Sequence, residues 1–265
     1  MPPVEHVSFE ELRRVVFLSP HPDDVELCCG ILIRRLVRAG VEVHYLCVTD
    51  GAPAQEIAAD IGSLPGDYDQ TTYKLTRRQE SLTALDILGV SQSRVRFLDY
   101  PDLGTHNHIR SIVEDFDAAI KSADAVFCCP FEGGHPDHDV CRFALGVAVS
   151  RTAYAGDVFE YASYNSRGYQ VFLRDSPPPF TLDAEPDEEQ VQRQVVQAFV
   201  SQKEMAGQFK TRAECFRRGE SVLRADEYLA YSEAPEYEQF AFPGSRVLNK
   251  IREYLESDFQ DPRAG

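Results

Sequence analysis

Short apolar runs alternate with helical periodicity over the first two thirds of the chain, and this alternation constrains the fold more than any other feature. Uninterrupted apolar runs such as Val15–Leu18 are typical of strands that are buried on both faces of a parallel sheet. We predict strands at 15–18, 41–49, 95–98 and 125–129, and helices at 25–38, 74–88, 109–120 and 139–150. Strands and helices in this order predict an α/β fold with a Rossmann-like, mostly parallel sheet and helices on both faces.

The pattern changes after Asp157. Two neighbouring strands are predicted at 158–164 and 169–174, and a helix is predicted from Val191 to Val200. Between them, residues 176–190 are Pro-rich and acidic, which is typical of a linker or a covering loop. We expect residues 1–175 to form the Rossmann-like core and residues 176–265 to form a mixed C-terminal extension packed on the same domain.

Charge and cysteine usage exclude some partners. The chain has 27 basic and 43 acidic residues, a net charge of 27 − 43 = −16, which argues against nucleic acid and an anionic membrane surface as partners. No apolar run approaches the length of a membrane span, and the first ten residues lack the pattern of a signal peptide. The seven cysteines form no C-x-x-C pair, so we expect reduced thiols and a cytoplasmic protein. Homo-oligomerisation stays open.

The first polar motif, Ser19-Pro20-His21-Pro22-Asp23-Asp24, follows the first predicted strand directly. Open α/β sheets bind ligands beyond the carboxyl ends of their strands. On a tight turn His21 and Asp24 can both face one metal ion, because zinc accepts imidazole nitrogen and carboxylate oxygen. Asp23 is then free to take a proton from water. Alternatively, Asp23 and Asp24 only cap the following helix, which would not explain the histidine.

A second polar motif, Glu132-Gly133-Gly134-His135-Pro136-Asp137-His138, follows the strand predicted at 125–129. Two such motifs at the same edge of a parallel sheet can converge on one site. His138 would then complete a His/Asp/His metal set with His21 and Asp24. His135, as an imidazolium, would stabilise an oxyanion and protonate a leaving amine.

The paired motifs resemble those of the PIG-L/LmbE-like family of metal-dependent N-deacetylases, and the resemblance covers about residues 14–150. It implies a Rossmann-like fold and the removal of N-acetyl groups from amino sugars. It also implies that zinc (Zn2+) is bound by His21, Asp24 and His138, that Asp23 is the general base, and that His135 is the general acid or electrostatic stabiliser. The ions Fe2+ and Co2+ accept the same ligand set.

Weaker matches to the family include Thr49-Asp50-Gly51, Arg77 with Glu80, and Asp102. The resemblance implies that Arg77 contacts substrate and that Asp102 binds sugar hydroxyl groups. The alternatives are an ion pair between Arg77 and Glu80 on a helix surface, and a turn role for Asp102.

In one respect the chain departs from the family pattern. Some family members carry a tyrosine before the Gly-His of the second motif, where this chain has Gly133. Another group, or the metal and His135 alone, must then hold the oxyanion. Tyr164, His106 and His108 either line the pocket or have structural roles.

The predicted function is therefore a metal-dependent hydrolase. It would remove an N-acetyl group from an amino sugar or a sugar-containing small molecule, using water activated by an aspartate. Two alternatives are an amidase that acts on a larger non-acetyl amide conjugate and a non-catalytic carbohydrate-binding protein. The presence of both Asp23 and His135 argues against a non-catalytic protein, because binding alone would require neither. A nucleotide-binding Rossmann protein would need a G-x-G-x-x-G after the first strand, which this chain lacks.

Overall fold

The computed structural model describes residues 9–58, 64, 66–174, 177–219, 235–240 and 242–258. The strands are β1 (Arg14–Ser19), β2 (Glu42–Pro53), β3 (Val95–Asp102), β4 (Ala125–Cys128), β5 (Asp157–Tyr161), β6 (Tyr164–Asn165), β7 (Gly168–Tyr169), β8 (Phe180–Asp183) and β9 (Ala213–Arg218). The helices are α1 (Asp24–Arg38), α2 (Gln55–Ala58), α3 (Gln70–Leu88), α4 (Ile109–Ile120), α5 (Pro136–Thr152), α6 (Pro186–Ala198), α7 (Lys203–Ala206) and α8 (Gly244–Ser257).

The central sheet has the strand order β3-β2-β1-β4-β5-β9-β8. Strands β1 to β5 are parallel, whereas β9 is antiparallel to both β5 and β8. Helices α1, α3 and α6 pack against one another, and α4, α5 and α8 form a second packed group. The predicted fold class, a mostly parallel α/β sheet flanked by helices, is confirmed.

The strand order places a topological switch point between β1 and β4. The chain runs from β1 through β2 to β3 on one side of the sheet, then crosses to β4 and β5 on the other side. Ligands bind in α/β sheets at the crevice that such a reversal opens beyond the strand ends. The two polar motifs follow β1 and β4, so they enter the same crevice.

Aromatic stacking fixes the register of the strands that carry the motifs. Phe17, Phe127 and Phe159 lie side by side on β1, β4 and β5. Their ring centroids are 4.8 and 4.9 Å apart, and all three side chains are fully buried. Buried aromatic pairs at this distance stabilise the sheet beyond the burial of their surface.

The prediction of a linker or covering loop at 176–190 is wrong from residue 180 onward, and residue 176 lies outside the described residues. Phe180–Asp183 forms the edge strand β8, and Phe180 packs its ring against Phe216 of β9. The acidic residues that follow form the first turn of α6, with Pro186 near its start and a capping box between Glu185 and Glu188. Carboxylates favour helix N-termini because of the helix dipole, so an acidic, Pro-containing stretch is also what a helix start requires.

Several predicted boundaries also shift. Strand β5 ends at Tyr161, and of the strand predicted at 169–174 only Tyr169 belongs to a strand, β7, which pairs with β6. Helix α3 begins at Gln70, where Asp69 accepts the amide of Thr72. In the loop predicted from Asp50 to Thr72, the structure has the end of β2 and the short α2, while residues 59–63 and 65 lie outside the described residues.

Helix α1 is held near its middle by side chains from later in the chain. The amides of Ile31 and Leu32 donate to the carboxyl group of Glu214, at 2.6 and 3.0 Å. The carbonyl group of Leu27 accepts from Gln170 and Gln192, both at 3.3 Å. These side chains satisfy backbone groups that a regular helix would pair internally.

The predicted boundary at residue 175, between a Rossmann-like core and a C-terminal extension, stays a prediction.

The described helices include none with the length and apolar character needed to cross a membrane. All seven cysteines are free thiols, and six of them are buried. The cytoplasmic location stays a prediction.

Candidate active site

The loop after β1 turns tightly so that His21 and Asp24 meet. The hydroxyl of Ser19 donates to the carbonyl oxygen of His21 (2.7 Å), and the amide of His21 donates to the Asp24 carboxylate (2.9 Å). Asp23 stands at the N-cap position of α1, but its side chain makes no capping hydrogen bond. The capping alternative for Asp23 is therefore wrong, and its carboxylate is directed elsewhere.

Three donor atoms from the two motifs converge. His21 Nδ1 lies 2.9 Å from Asp24 Oδ2, His138 Nε2 lies 3.1 Å from the same oxygen, and the two ring nitrogens are 3.3 Å apart. Ligands of a tetrahedral zinc ion at about 2.0–2.1 Å are roughly 3.3 Å from one another. All three side chains are buried. The spacing and chemistry of these atoms fit a divalent metal, and we call these three residues the candidate metal centre.

Wider groups of donors surround this centre. One consists of His21, His135 and His138, and another of His21, Asp102, His135 and Asp137, with donor atoms within 4.8 Å of one another in each group. We favour the candidate metal centre because its atoms are all within 3.3 Å of one another. In this arrangement Nε2 of His21 faces Asp137 Oδ2 at 3.3 Å and Asp102 Oδ1 at 3.4 Å.

Asp137 orients the His21 ring from behind. Its carboxylate accepts the amides of Leu103 (2.7 Å) and Thr105 (3.3 Å) and the hydroxyl of Thr105, and the side chain is fully buried. A carboxylate on the far nitrogen of a metal-binding histidine fixes the ring and its tautomer. Asp137 belongs to the second motif, so its position there was the signal for it, although the sequence analysis assigned it no role.

Charges within the site shift its pKa values strongly. Burial would raise the pKa of Asp24, but His138 and His21 outweigh it and hold the pKa well below its ordinary value. Burial lowers the pKa of His21, but Asp102 and Asp24 raise it well above its ordinary value. The carboxylates therefore stabilise positive charge at this point, which is where a divalent cation would supply it.

Asp23 pairs with Arg77. Arg77 Nη2 lies 2.7 Å from Asp23 Oδ2, and Nη1 donates to the carbonyl oxygen of Gly51 at 3.2 Å. Burial raises the pKa of Asp23 and the Arg77 charge opposes this, leaving a net rise. Arg77 and Glu80 are both buried, and Glu80 accepts from Ser201. The alternative of a surface ion pair between them is wrong.

The surroundings of Gly51 explain why a glycine stands at the end of Thr49-Asp50-Gly51, one of the weaker matches to the family. Its φ is +65°, and a Cβ on it would lie 2.6 Å from Cδ of Pro22 and 3.4 Å from the guanidinium carbon of Arg77. Only glycine combines this left-handed backbone with so close an approach. The end of β2 is therefore packed directly against the first motif.

His135 completes the site as a neutral donor. Its ring lies 4.5 Å from the His21 ring, and its Nδ1 accepts the amide of Asp137 at 3.3 Å. Burial and the nearby His21 lower the pKa of His135 well below its ordinary value. The expected imidazolium is therefore disfavoured here, and the proton of the neutral ring lies on Nε2 because Nδ1 is an acceptor.

The loop at Gly133 is held from two sides. Its φ is +77°, its amide donates to Asp139 at 2.9 Å, and its carbonyl oxygen accepts the amide of Glu236 at 2.8 Å. The hydroxyl of Tyr237 donates to Asp139 at 3.2 Å. No sequence pattern indicated these partners from the end of the chain.

The remaining candidates divide into two groups. Asp102 lies at the centre, 3.4 Å from His21, and Tyr164 has its ring 5.5 Å from the His138 ring. His106 packs its ring against Phe242, and His108 packs its ring against Tyr100. The structure thus brings Asp102 and Tyr164 to the candidate metal centre and shows aromatic packing partners for the two other histidines.

The fold and site define a Rossmann-like α/β protein with a His/Asp centre at the sheet switch point. The family described as GlcNAc-PI de-N-acetylase (PIG-L) matches residues 16–149, about half of the chain. The chain therefore belongs to the PIG-L family, and the resemblance stated from the motifs is confirmed.

Individual relatives agree with this assignment. A diacetylchitobiose deacetylase of Thermococcus kodakarensis is 27% identical over 154 residues, which cover 56% of this chain and 52% of the relative. The chain thus spans about half of that protein. The structure of N,N'-diacetylchitobiose deacetylase from Pyrococcus horikoshii has a TM-score of 0.57 at 20% identity and covers 80% of this chain and 86% of that one.

A third similarity limits what the fold alone shows. GalB, a 4-carboxy-2-hydroxymuconate hydratase from Pseudomonas putida, has a TM-score of 0.54 at 16% identity, and the match covers 74% of this chain and 82% of GalB. One fold therefore carries different named activities, and the function must be argued from the site.

Proposed function

We propose that this protein is a metal-dependent hydrolase that removes an N-acetyl group from an amino sugar or a sugar-containing small molecule. The observation that carries the proposal is the convergence of His21 Nδ1, Asp24 Oδ2 and His138 Nε2 within 3.3 Å, beside Asp23 and His135. Membership of the PIG-L family and the diacetylchitobiose deacetylases among its relatives support it.

His21, Asp24 and His138 would hold the metal, with zinc the ion their donor set fits and Fe2+ or Co2+ accepted by the same ligands. When bound, a divalent metal supplies Lewis acidity toward an amide carbonyl and lowers the pKa of water. Asp137 keeps the His21 ring in the orientation that presents Nδ1.

Asp23 is the proposed general base. Its carboxylate takes a proton from the attacking water, while the Arg77 guanidinium at 2.7 Å keeps it oriented and opposes its neutralisation by burial. As the water oxygen bonds to the carbonyl carbon, the carbonyl oxygen gains negative charge. The Nε2 proton of His135 donates a hydrogen bond to this oxyanion.

Collapse of the tetrahedral intermediate breaks the C–N bond. The leaving amine takes the proton that Asp23 accepted from the water, while the neutral His135 keeps its Nε2 proton, and acetate remains. Asp102, whose side chain is 11% exposed beside His21, would accept a hydrogen bond from a sugar hydroxyl. The proposed partner is therefore a small N-acetylated sugar rather than a macromolecule.

The test is primary-amine release from a panel of N-acetylated sugars, with zinc-loaded and chelator-treated protein compared directly. We expect metal-dependent release from at least one class of sugar. In Asp23→Asn, kcat should fall by on the order of 10²–10⁴-fold with bound metal unchanged. Asp187→Asn, on the exposed start of α6, is the control and should behave as the wild type.

Larger N-acyl amides in the same panel test the amidase alternative. Release from these alone would replace the deacetylase by an amidase. A protein that binds no metal, or an Asp23→Asn variant of near wild-type activity, would contradict the proposed site.

A further inference from the structure

Tyr164 lies beside the candidate metal centre at the start of β6. Its ring centroid is 5.5 Å from that of His138, with the two ring planes inclined by 64°. The side chain is half-buried, so one part of it packs while another stays accessible. Tyr164 is therefore a direct neighbour of one side chain of the candidate metal centre.

The backbone ties Tyr164 to both motifs. Its carbonyl oxygen would lie 3.2 Å from a Cβ on Gly134, the residue before His135. The preceding residue, Ser163, donates from its hydroxyl to Asp24 Oδ1 at 3.4 Å. The position of Tyr164 is thus determined by the same loops that position His135 and Asp24.

The Tyr164 hydroxyl differs from the hydroxyls of two buried tyrosines nearby. Tyr161 donates to the carbonyl oxygen of Leu18 at 3.0 Å, and Tyr237 donates to Asp139 at 3.2 Å. Within the described parts of the chain, the Tyr164 hydroxyl makes no hydrogen bond to the protein. A phenol that is partly exposed and makes no such bond is available to a ligand.

The charges that act on this hydroxyl are those of the site. Burial raises the pKa of Tyr164 well above its ordinary value; Asp24 raises it further, and His21 opposes the rise. Asp23 and Asp102 also raise it. An ordinary phenol has a pKa of about 10, so the Tyr164 hydroxyl carries a proton at neutral pH and can donate a hydrogen bond.

We propose that Tyr164 is a catalytic residue that donates a hydrogen bond from its hydroxyl to the oxyanion formed when water adds to the substrate amide. This inference rests on the proposed function. The hydroxyl keeps its proton throughout the reaction. Water loses a proton to Asp23 as its oxygen bonds to the carbonyl carbon, and the carbonyl π electrons move to the oxygen that Tyr164 contacts. Those electrons return when the C–N bond breaks and the amine takes its proton.

The direct test is Tyr164→Phe, which removes only the hydroxyl. The loss of one oxyanion donor is expected to lower kcat by on the order of 10²-fold, with KM changed by less than about threefold. Bound metal, measured after dialysis, should stay at the wild-type ratio. Tyr169→Phe is the matched control, because Tyr169 pairs with Tyr164 across the same hairpin and packs its ring on Phe209. It should retain wild-type kcat.

A second measurement separates donation to the oxyanion from a structural role. A methylphosphonamide of glucosamine mimics the tetrahedral oxyanion, whereas glucosamine is the product without it. Tyr164→Phe should bind the phosphonamide on the order of 10²-fold more weakly and bind glucosamine as the wild type does.

Three other outcomes would overturn the inference. If Tyr164→Phe keeps kcat and phosphonamide affinity within twofold of the wild type, the hydroxyl does not serve the oxyanion, although the proposed function stands. If the variant loses its metal, Tyr164 has a structural role in the centre. A metal-loaded wild type that releases no amine contradicts the proposed function, and this inference falls with it.

Discussion

The candidate metal centre and a network of ion pairs near the loop after β4 are both buried, but they differ in how far the described residues balance their charges. We call Glu132, Glu160, Arg142 and Arg217 the ion network. Arg142 and Arg217 contact Glu160 at 2.6 and 2.7 Å, and Arg217 contacts Glu132 at 3.0 Å. Within the described parts of the chain, two guanidinium groups thus meet two carboxylates, so that these four charges compensate one another.

Among the residues that the structure describes, the candidate metal centre has no such balance. Asp23 has its own cation in Arg77, but Asp24, Asp102 and Asp137 face imidazole rings. Buried carboxylates without a fixed cation are costly, and a divalent ion removes that cost. This difference indicates a structural role for the ion network, and it supports the proposal that the candidate metal centre takes up a divalent cation from solution.

The largest expected effect comes from removing a carboxylate of the centre. In Asp24→Asn, stoichiometric zinc binding should be lost and kcat for amine release should fall by on the order of 10⁴-fold or more. Metal content after dialysis and turnover measure the two effects. Asp115→Asn, whose carboxylate contacts Tyr100 and Arg96, is the control and should bind metal normally. Wild-type metal content in Asp24→Asn would contradict the assignment of Asp24 as a metal ligand, and with it the contrast between the centre and the ion network.

A substitution in the ion network should lower the stability of the protein, in contrast to the loss of metal and activity expected for Asp24→Asn. Glu160→Ala leaves Arg142 and Arg217 without their shared carboxylate, and we expect the free energy of unfolding to fall by about 3–5 kcal/mol. The matched control is Asp157→Ala on the same strand, whose pair with Arg218 is exposed and should contribute less than about 1 kcal/mol. Urea unfolding measures both. Equal small losses would show that the network is not structural.

A smaller effect on zinc affinity is expected from Asp137, which contacts the far nitrogen of the His21 ring. Asp137→Asn keeps the size of the side chain but weakens its contact with His21 Nε2, so zinc affinity should fall by about 10–100-fold. Competition with a chelating dye measures this on folded protein. Unchanged affinity would mean that the His21 ring is oriented without Asp137.

The smallest effect tests Glu26, a buried carboxyl group that forms no ion pair with a cation in the described part of the chain. Glu26 accepts hydrogen bonds from Tyr45 and Ser81, and burial raises its pKa to about 8. The folded protein therefore binds more protons than the unfolded chain between about pH 4.5 and 8, so stability should decrease as pH rises through this range.

Glu26→Gln should reduce that decrease and gain roughly 1–3 kcal/mol relative to the wild type at pH 8. Urea unfolding at several pH values, with chelator present for both proteins, measures the difference. Glu56→Gln on the exposed α2 is the control. Parallel pH profiles for wild type and Glu26→Gln would show that Glu26 titrates normally.

Local sequence patterns predicted most of the parallel core. The strand at Val15–Leu18 and the helix at 25–38 were expected nearly where β1 and α1 lie, because burial on both faces leaves an apolar run that few other structures produce. The meeting of His21 with His138 followed from the same reasoning, since neighbouring parallel strands end at one edge. The loop prediction was wrong at residues 180–190, because proline and acidic side chains suit a loop and a helix start equally well.

By itself, then, the sequence determined the strand–helix alternation, the edge of the sheet that carries the polar motifs, and the donor types available there. Only the tertiary structure decided that Arg77 pairs with Asp23, that Glu214 holds α1, and that Tyr164 borders the centre. The physical reason is that periodicity and turn chemistry act over a few neighbouring residues. Contacts such as that of Glu214 with Ile31, 183 residues apart, exist only after the sheet and helices have packed.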